Sequence, residues 1–149
     1  MTLSKPVIIT ALVLIAMALT VTTYGAITVS KNLSSTGSIN VSANLGVYSD
    51  STCTTTLSAI DWGTITPGST VTKTVYVKNT GTRTSLALSM STSNWSPASA
   101  STYMTISWNK QGTTLAPGAV TAATITLTAS SSTVDITSFS VQISITGTA

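Results

Sequence analysis

Phe139, Val141, Ile143 and Ile145, separated by Ser140, Gln142 and Ser144, set the tightest limit on what this chain can fold into. Side chains of a β-strand alternate between faces, so an apolar residue at every second position gives one dry face and one wet face. The same period recurs at Val75 and Val77, at Leu86, Leu88 and Met90, at Met104, Ile106 and Trp108, and at Ile125 and Leu127. An earlier strand puts Ile39, Val41, Ala43, Leu45 and Val47 on one face, and a short one spans Leu57 to Trp62. With turn residues between them, these segments predict seven or more strands in an all-β, antiparallel sandwich of jelly-roll or immunoglobulin-like type.

One pattern occurs twice. Residues 65–77, ITPGSTVTKTVYV, superpose without gaps on residues 115–127, LAPGAVTAATITL. Proline presets φ at the first central turn position and glycine accepts positive φ at the next, so Pro67-Gly68 and Pro117-Gly118 predict two type II turns, each delivering the chain into a strand. Asn79-Thr80-Gly81-Thr82 reads as a further tight turn.

Ahead of the β-region, a cationic head ending at Lys5 precedes an apolar run from Val7 to Val21, broken only by Thr10. This is the layout of a secretory signal, and the small residues Thr23 and Gly25 predict a cut after Gly25, with Ala26 as a neighbouring choice. As a helix the run reaches only about 22 Å against about 30 Å of hydrocarbon, but extension through Tyr24 nearly suffices, so a retained N-terminal hydrophobic helix is the other reading. The expected organisation is residues 1–25 as signal peptide or retained helix, 26–37 as a terminal strand and linker, and 38–149 as the sandwich. At 149 residues one domain with one core is expected.

Charge is scarce. Ser and Thr supply 56 residues and Asp only three, with no Glu and no His, which removes the usual acid–base and nucleophilic constellations and points away from an enzyme. Asp50, Asp61 and Asp135 are too scattered to suggest a metal site, and the six cations form no patch for nucleic acid. No cofactor is expected. Cys53 is the lone cysteine and reads as inert or as an intermolecular bridge. An autocatalytic lysine–asparagine cross-link needs a buried acid beside the pair, and Lys73 or Lys78 with a distant Asp leaves it unsupported. Trp62, Trp95 and Trp108 resemble a sugar-stacking set only superficially, because Trp108 shares the parity of a core face and Trp62 abuts a turn, which leaves Trp95 as the candidate for exposure. Asn32, Asn40 and Asn94 stand in sequons and are candidate glycosylation sites in an exported chain.

The segments GSINVSANL and IDWGTITPGSTVTKTVYVKNTGT resemble the front half of the TasA and camelysin family of secreted fibre proteins, especially its archaeal bundling pilins. The likeness covers roughly residues 27 to 90. It implies a jelly-roll subunit that is exported and polymerises by donor-strand exchange into a pilus or biofilm matrix fibre. The chain lacks the long charged insertions of the bacterial members and has no family metal motif. The apolar run ahead of a hydroxyl-rich β-domain is also similar to archaeal type IV pilins, although Pro6 follows Lys5 where a prepilin peptidase expects a small residue.

The segment Ala26 to Leu33 places Ile27, Val29 and Leu33 on one face of a strand, with Lys31 discordant, and Ser34 to Gly37 reads as a break after it. A strand at a chain end either joins its own sheet or completes a neighbour's. The expectation is that Ile27, Val29 and Leu33 are donor residues, that the acceptor groove lies between the sandwich sheets, and that the partner is another copy at the cell surface. Membrane contact is limited to export unless the helix is retained. Weakly charged faces would also let fibres bundle side by side. The competing readings are a type IV pilin-like subunit built through a retained helix, a membrane-anchored or secreted adhesin-like binding domain, and an accessory domain of an enzyme or transporter.

Overall fold

The computed structural model of the chain describes residues 33–41, 44–132 and 136–149. Nine strands are present among them: β1 (Leu33–Val41), β2 (Leu45–Tyr48), β3 (Ala59–Ile65), β4 (Thr70–Asn79), β5 (Leu86–Ser96), β6 (Met104–Trp108), β7 (Thr114–Leu115), β8 (Val120–Ala129) and β9 (Ser138–Thr148). A single helical turn, α1 (Ala100–Tyr103), leads into β6. The strands form two sheets, β3-β1-β9-β5-β7 and β2-β4-β8-β6. The molecule is an all-β sandwich, and the apolar set at Ile125, Leu127, Ile143 and Ile145 is fully buried between its sheets. Among the described residues no helix is long and apolar enough to cross a membrane; Val7 to Val21 lies outside them.

The two sheets contain the same arrangement twice. β3-β1 and β7-β5 occupy the two ends of one sheet, β2-β4 and β6-β8 the two halves of the other, and β9 lies between β1 and β5. The doubled Pro-Gly segments are the corners of this near-symmetry, β3 to β4 and β7 to β8. Gly68 has φ 80° and Gly118 φ 72°, and Ser69 N–H donates to Thr66 C=O as Ala119 N–H does to Ala116 C=O, both at 3.0 Å. Each corner is a type II turn, in which only the left-handed glycine relieves a Cβ clash. Buried Asn79 ties the second corner to the first half: its Nδ2 donates to Leu115 C=O at 3.0 Å and to Thr84 C=O at 2.9 Å, and its Oδ1 accepts from Gly81 N–H at 2.9 Å.

Three expectations need correction. Ile39 to Val47 is two strands in different sheets, because Asn44 takes φ 65° and carries the chain across; asparagine is among the few residues that tolerate that conformation. Ser34 to Gly37 is part of β1, bonded on both sides, so polar composition did not make it a break. The sheets are antiparallel except at one place, β1 against β9, which run parallel. Almost the whole described chain separates these two strands, so no tight hairpin dictates their direction.

Candidate assembly interface

β1 is an interior strand with a poor interior face. It pairs antiparallel with β3 from Leu33↔Ile65 to Ser38↔Ala59 and parallel with β9 from Ser34↔Ser138 to Val41↔Ile145. Yet the residues it turns inward are Ser35, Gly37 and Ile39, of which only Ile39 brings substantial apolar area. The reason lies in β3. Ser35 pairs with Gly63 and Thr36 with Asp61, so Trp62 is the extra residue of a bulge. The Asp61 carboxylate accepts from Gly63 N–H at 2.8 Å, and Gly63 adopts φ 71°. Bulges re-aim side chains, and this one sends the Trp62 ring into the core beneath Gly37. A Cβ added at Gly37 would stand 3.1 Å from Trp62 Nε1 and 3.3 Å from Ile143 Cδ1, so the register of β1 is keyed by a glycine over an indole.

The fit leaves polar atoms stranded. Ser35 Oγ and Trp62 Nε1 are buried without a hydrogen-bond partner, and both lie at the inner face of β1. Each such group costs about 1–3 kcal/mol relative to a satisfied or apolar equivalent. The strand is therefore held by two ladders and disfavoured by what it faces.

The two flanks of the sandwich differ. On the β2–β3 side, edge pairing is discouraged by Asp61, by the bulge, and by residues 49–58, which lie along β2 through Leu57 N–H to Val47 C=O at 2.9 Å. Asp50 organises that segment. Its carboxylate accepts from the Thr52 hydroxyl and from the Thr55 and Thr54 N–H groups at 2.7 and 3.1 Å, and these bonds, Thr52 first, hold it well below the usual carboxylate range. Cys53 sits in the same turn at φ 56°, half-buried. Charge and bulges are the ordinary ways in which edge strands avoid pairing.

The β5–β6 side has less protection. Leu88 bonds through its backbone to Thr113 and Gly112, so it and, by parity, Met90 and Thr92 direct their backbone groups away from β9. On β6, Tyr103 and Asn109 bond to β8 and its flanking residues, so the backbone groups of Ile106 and Trp108 point away from β8. Gln111 Oε1 links the two edges, accepting from Met90 N–H at 3.1 Å and from Trp108 Nε1–H at 3.0 Å. The side chains of Met90, Ile106 and Trp108 are only half-buried here.

Of the residues singled out in the sequence, Leu33 begins β1 opposite Ile65, whereas Ile27, Val29, Asn32 and Asp135 lie outside the described residues. Asn40 is exposed on the outer face of β1, and Asn94, at φ 52°, donates its amide to Gln142 Oε1. Trp95 is no exposed platform: it stacks on Phe139 with ring centroids 5.9 Å apart and 27° between planes. Sequence reasoning missed the Gly37–Trp62 key, because nothing in the alternation marks a bulge. No protein-family model matches the chain, and no curated protein matches it.

Proposed function

We propose that the chain is the structural subunit of an extracellular filament, a pilus or biofilm matrix fibre, in which a leading strand of one copy completes the sandwich of the next. We read the doubled sandwich as a jelly roll, the protein as exported, its partner as itself, and its role as structural and not catalytic. The observation that carries the reading is β1, a strand near the chain start that lies between two partners yet turns only one large apolar side chain, Ile39, into the core and leaves Ser35 Oγ and Trp62 Nε1 without partners. Exchanging such a strand between copies keeps both ladders, so the balance rests on subunit concentration against the effective concentration of the chain's own strand. The contact is heterologous and need not close, so repetition gives an open fibre. The uncharged β5–β6 edges offer a surface for lateral bundling.

A second reading is an anchored or secreted surface domain that works as a single copy. What favours it is that β1 already fills the sheet of its own chain. Electron microscopy and size-exclusion chromatography of the mature protein, with and without residues 26–32, separate the two. Fibres that vanish on deletion support the filament; a monomer in both forms, at all concentrations, supports the anchored domain.

A further inference from the structure

β1 and the corner that follows it occur twice in the sequence. Residues 22–33, TTYGAITVSKNL, align without gaps on residues 34–45, SSTGSINVSANL. Six positions are identical: Gly25 with Gly37, Ile27 with Ile39, Val29 with Val41, Ser30 with Ser42, Asn32 with Asn44 and Leu33 with Leu45. Three of the matched positions have evident work in the structure. Gly37 clears Trp62, Ile39 is the apolar anchor, and Asn44 makes the left-handed corner that takes the chain out of the sheet. Thr23 matches Ser35, so the three inward positions of the first copy are Thr, Gly and Ile in place of Ser, Gly and Ile.

We propose that residues 22–29 are a second, interchangeable β1, which enters the slot between β3 and β9 of a neighbouring copy with Gly25 over Trp62, and that each subunit's own β1 closes the slot until it is displaced. This inference rests on the strand-exchange reading above and names its donor, its register and its autoinhibitor. A strand with glycine over the indole fits without displacing its neighbours, whereas a slip of two residues in either direction puts a side chain there, its Cβ alone 3.1 Å from Trp62 Nε1. Once β1 leaves its slot, residues 30–44 become a tether that can stretch to about 50 Å, ample to reach an adjacent subunit; with β1 in place the tether is residues 30–32, about 10 Å. The donor must also survive export. A cut after Gly25 divides the repeat at its key residue, whereas Ala16-Met17-Ala18 forms an A-x-A site whose cleavage leaves the whole repeat on the mature chain.

The register supplies the test. Ser38 faces Ala59, and because Ile39 N–H bonds Ser58 C=O, the Ser38–Ala59 pair is the close, non-hydrogen-bonded kind that accepts a disulfide. In a Cys53→Ser background, Ala26→Cys with Ala59→Cys is expected to give a reducible ladder of multimers in fibres. Ser38→Cys with Ala59→Cys is expected to give a bridged monomer that assembles only after reduction. Fibres in which the Ser38 pair gives the ladder and the Ala26 pair does not would overturn this inference while leaving exchange of β1 intact. Absence of fibres from every form, the parent included, would overturn both. Gly25→Val is expected to leave the melting temperature of the monomer unchanged and to lower fibre yield about 10- to 100-fold, the range for an overpacked core position; an unchanged yield refutes the register. Mass spectrometry of the mature chain is expected to find its first residue ahead of Thr22, and a terminus at Ala26 would refute the donor.

Discussion

Ser35→Ala removes one of the two stranded polar atoms beneath β1 and tests whether the strand is poorly seated. The hydroxyl is buried, its residue 3% exposed, and it has no partner. Its burial costs about 1–3 kcal/mol, and the space left by one oxygen is small, so a net gain of about 1–2 kcal/mol is expected. That gain corresponds to a factor of about 5–30 in the ratio of seated to released strand. For a domain of this size the melting temperature should rise by about 4 °C for each kcal/mol. Thermal and urea denaturation of the monomer would read it, and the lag before fibres appear should lengthen by the same factor if release of β1 gates assembly. A lower melting temperature would mean that the hydroxyl is satisfied and that the strand fits better than argued. A higher one with an unaltered lag would detach stability from assembly.

Asn79→Ala should cost about 3–5 kcal/mol in urea denaturation, since it deletes three bonds and orphans the Thr84 and Leu115 carbonyls and the Gly81 N–H; a loss under about 1 kcal/mol would refute its role as the tie between the halves. Gln111→Ala should uncap Met90 N–H at the β5 edge and increase sedimentation of bundled material, with little change in monomer stability; unchanged sedimentation would remove the β5–β6 flank as the lateral surface. Asp50 is held below its ordinary value in the folded chain, so its stabilising contribution is complete above the unfolded carboxylate value and is lost as pH falls through the lowered one. With three Asp and no His in the chain, the unfolding midpoint should stay nearly flat from about pH 5 to 8 and fall only in stronger acid, and Asp50→Asn should lessen that acid-side fall.

The elements legible in the sequence are those that local physics decides. Period-two alternation locates β9, where Phe139, Val141, Ile143 and Ile145 are buried as spaced, and Pro-Gly chemistry locates both corners because the turn needs a glycine at positive φ. Alternation says which face a residue takes and nothing about which strand lies beside it. The parallel pairing of β1 with β9 was therefore invisible. Nor did it mark Asn44 as the crossing between sheets, since Val41 and Leu45 keep one parity across the corner. Trp62 was legible as an aromatic near a turn, but its place under Gly37 depends on a bulge that exists only once β1 and β3 are paired. The repeat of residues 22–33 gains its meaning from the slot, because a glycine means little until the indole beneath it is known.

The filament account stands on which chain supplies the strand between β3 and β9. Electron cryomicroscopy of fibres assembled from the mature protein can trace it directly. The account predicts density that enters this slot from the neighbouring subunit, with glycine over Trp62. Density that runs from the slot through the Asn44 corner into β2 of the same subunit, with no strand crossing between copies, would contradict it.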